Sequence, residues 1–440
     1  GKRAIMLFDR DLPEKLNDRR SFIKLMAAAP LFATIGSRSF ASTIVTAATN
    51  KPLTKAVYTS LGVRPLINAR GTWTYLSGSL ELPEVRRAVE AASHHFVDMF
   101  ELEEAAGKRL AELSGAESGM ITSGSAGAIA SAAAACMAGT DPKNIWQLPD
   151  TTGMKNEVIM LGGRNPFDSA IRLTGAKITI ANAVEDLKAA LTPNAAMVYT
   201  TFRDERVAEA LKITKTAGVP LFVDHASGIP PYSNLSHFAK MGVDLYCFSG
   251  GKGVCGPQTS GLLLGRKDLI EAARYNTCPW EGAVCRPMKV SKEEVIGILA
   301  ALDYWSRADL TALDKEWRVR VERIAKLVNT VPGVTTSIAI PQTSNSFPTL
   351  TVNWDEKRFN LTVAQCAQQL RDGEPRIEVL TPTNPSQVLG RLPDNDPAKL
   401  HWGHSDPHLQ IVSITLQPGE DLIVGNHLRQ VLNKARKQSA

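Results

Sequence analysis

The chain predicts an α/β protein: a largely parallel sheet with helices on both faces, followed by a smaller α+β domain. Three observations carry this. From Val85 onwards, helix-like and strand-like stretches alternate, the pattern of βαβ units. The short runs at Val158–Leu161, Ala176–Ile180, Met197–Thr201, Leu221–Val223 and Asp244–Phe248 are almost wholly apolar. Strands covered on both faces read that way, because neither face meets water. After Pro332-Gly333 the alternation gives way to strand-like pieces at Thr349–Trp354 and Leu409–Leu416, with a helix candidate at 362–372.

Each element has a local reason. Residues 84–114 are charged and amphipathic, as a helix pair would be. Glu117–Ser123 is a strand candidate that ends in small polar residues. Ala126–Ala138 is nearly all small and apolar, so it reads as a buried helix. Residues 204–217 are a further helix between strand runs, and a long helical pattern spans Lys292 to about Val331. Residues 381–400, rich in Pro, Asn and Asp, read as a long loop.

Composition narrows the function. The 440 residues leave room for two or three domains, and 44% apolar with 21% charged residues excludes a disordered chain and a multi-span membrane protein. Of the net charge of +6, residues 1–50 supply +4, so the body is nearly neutral. A dedicated nucleic-acid binder would need a basic face.

The first 41 residues read as an export leader. Arg19-Arg20-Ser-Phe-Ile-Lys24 precedes a short apolar run from Leu25 to Gly36, and Ser39-Phe-Ala41 offers a peptidase site. The paired arginines resemble the twin-arginine signal. A periplasmic enzyme is expected, exported by that machinery; if the leader is a plain amphipathic helix, the protein is cytoplasmic. Residues 42–60 read as a tether, 61–84 as a segment reaching the active site, 85–290 as the large domain and 291–440 as the small one. Six cysteines include no CxxC pair. Cys278 and Cys285 are near enough in sequence for a loop disulfide, although buried or free thiols are the plainer reading.

The chemistry concentrates around Lys252. The run from Leu245 to Ser249 is followed by Gly250-Gly-Lys252-Gly, so glycines present a lysine at the end of a buried strand. Desolvated there, the amine can lose its charge and form an imine. A phosphate-gripping lysine is the alternative, but no GxxxxGK[ST] pattern exists. Pro220-Leu-Phe-Val-Asp224-His-Ala226 ends another buried strand in an acid. Ligands in open α/β sheets gather at such strand ends. A pyridoxal phosphate enzyme needs these two residue types: the lysine for the imine, and the acid for the pyridine nitrogen. Ala226 is small enough for a ring to lie against it. Thr122-Ser123-Gly124-Ser125-Ala126-Gly127 opens the Ala-rich helix and suits a phosphate, whose charge the helix N-terminus favours. Ser249, Gln258 and Thr259 are further phosphate candidates.

These motifs, with Arg64–Thr72, Leu148–Val158, Gly256-Pro-Gln258 and Arg286–Glu294, resemble the fold-type I pyridoxal phosphate enzymes. Within them the likeness is to the group around selenocysteine synthase and D-glucosaminate-6-phosphate ammonia-lyase. The resemblance spans roughly Val63 to Arg376. It implies a seven-stranded-type large-domain sheet and pyridoxal 5'-phosphate as cofactor. Lys252 would be the Schiff-base lysine and Asp224 the nitrogen partner, with phosphate held by Ser123, Gly124, Ser125, Ala126 and Ser249. It also implies a homodimer or larger oligomer with shared sites, Gln258 and Thr259 reaching the neighbour. The near-neutral body argues against tRNA as substrate.

The expected reaction is at Cα of a small amino acid or amino-sugar acid, an α,β-elimination of the ammonia-lyase type. Racemisation and aldol cleavage are alternatives on the same scaffold, and a non-catalytic cofactor- or phosphate-binding protein is the alternative of another class. An α-carboxylate calls for an arginine. Arg376, at the start of a strand in the small domain, is the first candidate; Arg70, Arg164, Arg286 and Arg391 are the others. His401, His404, Asp406 and His408 could be read as a metal cluster, but lack helical ligand spacing, so a polar loop and no metal are expected.

Overall fold

The computed structural model describes residues 56–341, 346–381 and 408–438. The leader, Arg391, His401, His404 and Asp406 lie outside the described residues. Of the residues before Leu66, the described ones hold a single helical turn, Ala56–Thr59. Everything from Leu66 onwards belongs to a second unit.

Among the described residues there are twelve strands. They are β1 (Leu66–Ala69), β2 (Ser118–Ser123), β3 (Glu157–Leu161), β4 (Lys177–Ala181), β5 (Ala195–Thr200) and β6 (Leu221–Asp224). The rest are β7 (Leu245–Ser249), β8 (Ser260–Gly265), β9 (Val334–Ala339), β10 (Thr349–Trp354), β11 (Arg376–Val379) and β12 (Leu409–Val412). The large sheet has seven strands in the order β2-β8-β7-β6-β5-β3-β4. The pairs from β7 to β4 are parallel, and β8 runs antiparallel to both its neighbours. This is the mostly parallel sheet with helices that the apolar runs imply.

Strand β8 was not among the expected elements. Its flanking serine and glycines merge with the lysine loop, so its leucines do not stand out. The glycines have a packing reason: a Cβ on Gly261 would lie 2.4 Å from the Gly124 carbonyl carbon. Backbone of the phosphate-cradle candidate thus rests directly on β8.

Both faces of the sheet are buried, and side chains alternate between them. Ile159, Val198, Leu221, Val223, Tyr246 and Phe248 enter one core. Val158, Met160, Met197, Tyr199, Phe222 and Cys247 enter the other, against the Ala-rich helix Gly124–Ala138. Eleven residues of that helix are buried. Small side chains are what let it lie so close to the sheet.

The long helical pattern is two helices, Lys292–Arg307 and Leu310–Val328. Asp309 caps the second, accepting from the Ala312 N–H at 3.0 Å. Val295, Ile298, Leu302, Trp305 and Trp317 pack in the large-sheet core, while Val321, Ile324 and Val328 pack in the core of the smaller domain. The change of core therefore falls between Trp317 and Val321, inside a helix, rather than at 290.

The smaller domain holds the antiparallel sheet β12-β10-β9 and the parallel pair β1-β11. Its strand β12 ends at Val412, shorter than the apolar run. The pairing of β1 with β11 brings the start of the second unit into this C-terminal region.

Candidate active site

The lysine loop is held by its own backbone. Gly250 N–H donates to Ser260 O at 2.8 Å, Gly256 N–H to Gly250 O at 2.9 Å, and Cys255 N–H to Lys252 O at 3.0 Å. Gly253 allows a close approach: a Cβ there would meet Ile229 O at 2.4 Å. Cys255 takes a left-handed backbone, φ 55°, uncommon outside glycine. The segment Trp73–Leu82 is pinned on this loop from outside. Ser79 N–H donates to Gly251 O and Leu82 N–H to Cys255 O, each at 3.0 Å. The Gln258 side-chain amide donates to Thr74 O at 3.1 Å. Residues 74–82 thus meet the lysine loop through hydrogen bonds of their backbone.

Lys252 stands at the carboxyl end of the sheet with its ammonium nitrogen 5.7 Å from the Phe167 ring centroid. Burial lowers its pKa; the Asp224 charge opposes that, and Arg203 reinforces it. An amine so placed is readily neutral, as imine chemistry requires.

Asp224, 5% exposed, ends β6. It accepts three donors: the Tyr199 hydroxyl at 2.7 Å, the Ala226 N–H at 3.0 Å and the Cys247 thiol at 3.6 Å. Alternation explains the grouping. Cys247 pairs with Asp224 in register and Tyr199 with Phe222, so all four share one face. Asn165 in turn donates to the Tyr199 oxygen at 3.2 Å. Burial, and then the Asp224 charge, push the tyrosine pKa well up. Tyr199 therefore stays a donor to the carboxylate.

His225 points to the opposite face, against Phe238 and Phe248. Burial, then Arg203 and His237, lower its pKa to about 3. Its Nδ1 is buried without a hydrogen-bond partner.

The cradle candidates sit where β2 turns into the Ala-rich helix. Gly124 has φ +66°, and the Thr122 hydroxyl donates to its carbonyl at 2.9 Å. Ser125 Oγ is out of solvent with no hydrogen bond of normal geometry, the Cys247 thiol being its neighbour. Ser249 N–H donates to Ala226 O at 3.0 Å, which ties the lysine strand to the Asp224 strand. The residues present fit pyridoxal phosphate: a hydroxyl out of solvent at a helix N-terminus, a buried carboxylate and a desolvated amine lie along one end of one sheet.

Thr259 is exposed, and its hydroxyl contacts Glu294. Among the arginine candidates, Arg70 is fully buried and donates to Val379 O at 2.8 Å and Thr381 Oγ1 at 3.3 Å. Arg164 is ion-paired with the buried Asp168 at 2.6 Å. Arg376 opens β11 and is paired with the buried Glu378 at 2.9 Å, which also holds Arg371. Arg286 pairs with Glu281 at 3.1 Å. All six cysteines are free thiols, Cys278 and Cys285 included. His408 lies just ahead of β12.

Sequence reasoning missed Tyr199, Asn165, Phe167 and Arg203. Each lies at or just after the carboxyl end of β3 or β5, which is the signal that could have found them.

Comparison with known proteins agrees with this geometry. The aminotransferase class-V pattern matches residues 171–369. The chain is 32% identical over 344 residues to a 5'-C-glycyluridine monooxygenase-decarboxylase of a Streptomyces species, covering 73% of this chain and 83% of the relative. It is 28% identical over 342 residues to D-glucosaminate-6-phosphate ammonia lyase of Salmonella typhimurium, covering 74% and 89%. A solved structure of a D-glucosaminate-6-phosphate ammonia-lyase superposes with a TM-score of 0.69 at 25% identity, covering 87% of this chain and 100% of that one.

Proposed function

We propose that this chain, which belongs to the fold-type I pyridoxal phosphate enzymes of the aminotransferase class-V group, is a lyase that removes ammonia from a 2-amino-3-hydroxy acid. The observation that carries the reading is that the buried Asp224 ends β6 and Lys252 follows the end of the adjacent parallel strand β7, so both stand at the same end of the sheet. Likeness to the ammonia lyase supports the reaction type.

When bound, pyridoxal phosphate supplies an electron sink for charge developing at Cα. Asp224 would hold the pyridine nitrogen, with Tyr199, Cys247 and the Ala226 N–H fixing the carboxylate. Ser123, Gly124, Ser125, Ala126 and Ser249 would hold the phosphate. Once the substrate's own amine has taken its place, Lys252 is free to accept the Cα proton as general base. Carrying that proton, it can pass it to the departing β-hydroxyl. Water then completes release of a 2-keto acid and ammonia. Arg376 is the first choice for the substrate carboxylate, with Arg70 and Arg164 behind it.

Purified protein supplied with pyridoxal phosphate is tested against D- and L-2-amino-3-hydroxy acids, including amino-sugar acids, by ammonia and keto-acid release. Release that Lys252→Ala abolishes supports the reading. A protein that binds the cofactor but releases neither product across the panel overturns it.

A second reading is oxygen-dependent decarboxylation, favoured by the 32% identity to the monooxygenase-decarboxylase. Oxygen uptake with carbon dioxide release in the same assays would select it.

Two further proposals concern setting. The paired Arg19-Arg20 ahead of a short apolar run supports twin-arginine export to the periplasm. Arg19→Lys/Arg20→Lys would then leave active enzyme in the cytoplasm; unchanged periplasmic activity overturns this. A homodimer with shared sites is supported by the exposed Gln258 and Thr259 beside the lysine loop. Light scattering that gives a monomer at working concentration overturns it.

A further inference from the structure

Strand order constrains how the cofactor ring can lie. Lys252 takes the ring's formyl carbon and Asp224 the ring nitrogen opposite it. The phosphate arm and the phenolic oxygen flank the formyl carbon on its two sides. The cradle at Ser123–Ala126 follows β2, which in the sheet lies beyond β7 and β8 from Asp224. The phosphate arm therefore runs towards the β2 edge, and the phenolic oxygen faces the other way, towards β5.

Arg203 stands there, three residues after β5 ends. It is half-buried, and its Nη2 donates to Ser227 Oγ at 3.0 Å. Ser227 is itself buried and lies three residues beyond Asp224, on the turn that leaves β6. The guanidinium is in electrostatic reach of Asp224, His225 and Lys252.

We infer that Arg203, oriented by Ser227, is the residue that faces the cofactor's phenolic oxygen and places a fixed positive charge on the β5 side of the ring. A guanidinium cannot be deprotonated in proteins, so it offers this charge at every working pH. It also keeps the phenolic oxygen ionised. The other groups that face Lys252 are Asp224 from β6, whose negative charge acts in the opposite sense, the Cys247 thiol from β7, which burial keeps protonated, and the uncharged Phe167 ring. Arg203 is thus the positioning and tuning residue on the β5 side, and Ser227 holds it.

The test is a pH titration of the visible band formed at Lys252, read by absorbance rather than by turnover. In Arg203→Gln the midpoint is expected to rise by about one unit or more, because the cation facing the phenolic oxygen is removed. Ser227→Ala should move it the same way by less, and Arg203→Lys should stay nearer the parent. A midpoint in Arg203→Gln that coincides with the parent, with the band retained, overturns the inference. If Arg203→Gln does not fold, unmoved midpoints in both Ser227→Ala and Arg203→Lys overturn it instead. The inference rests on Lys252 carrying the cofactor, not on elimination. A parent protein that forms no band with added pyridoxal phosphate removes both, whereas an unmoved midpoint removes only the role of Arg203.

Discussion

Tyr199 donates its hydroxyl to Asp224 across 2.7 Å, from one parallel strand to the next, with both groups buried. The tyrosine is itself steadied by Asn165. A hydrogen bond to an ionised group contributes about 1.5–3 kcal/mol. Tyr199→Phe should therefore weaken retention of pyridoxal phosphate by roughly tenfold or more. Equilibrium dialysis with Tyr199→Phe checks this, and unchanged affinity would show that Asp224 does not depend on the contact.

Lys252→Ala removes the group placed both to form the imine and to move the Cα proton in the proposed reaction. The variant should bind pyridoxal phosphate without forming an adduct that borohydride can trap. Turnover should fall by about 100-fold or more, the usual worth of a positioned base. Mass spectrometry of the reduced protein reads the first outcome, and ammonia release the second.

Gly253→Ala tests the lysine loop by packing. Its Cβ would collide with the Ile229 carbonyl at 2.4 Å, backbone that cannot rotate away. Overpacking of this kind costs about 1–3 kcal/mol. The variant should melt earlier in a thermal scan and hold the cofactor less tightly. A stability equal to the parent's would mean that the loop shifts freely.

His225 should make the fold sensitive to acid. Its pKa is lowered to about 3 by burial, then by Arg203 and His237, whereas an unfolded histidine titrates near 6.5. Between these values the unfolded chain binds the extra proton, so stability rises with pH and is lost as pH falls below about 6.5. The slope for one such group is at most about 1.4 kcal/mol per unit. Urea melts at pH 5 and pH 7 should show a steeper loss in the parent than in His225→Leu. Parallel losses would refute the assignment.

How much was legible from sequence follows from what each element needed. Strands β3, β5, β6 and β7 were readable because burial on both faces demands continuous apolar runs; the edge strand β4, half exposed, showed only through its isoleucines. Strand β8 was not, because its glycines serve the approach of Gly124 and look like loop. The break between Arg307 and Leu310 carries neither glycine nor proline; its sign is the capping Asp309. At the site, Lys252 and Asp224 stood out because glycines and a buried strand end mark them locally. Tyr199 and Arg203 reach the same cleft only through the order of strands in the sheet, and no local spacing records that order. Arg376 was readable as the start of a strand, but its ion pair with Glu378 depends on a partner two residues on whose burial only the fold reveals.

The pairing of β1 with β11 joins residues about as far apart as Arg70 and Val379, which are separated by 309 positions. Between them lies the whole seven-stranded sheet. The smaller domain is thus discontinuous in the chain, and the larger one is an insertion within it. Closing so long a loop is paid in chain entropy before any contact repays it, so this pairing belongs late in folding. During synthesis β1 leaves the ribosome hundreds of residues before its partner exists. Until then it is an open strand edge, and a chain cut short before Arg376 would keep that edge and be prone to aggregate.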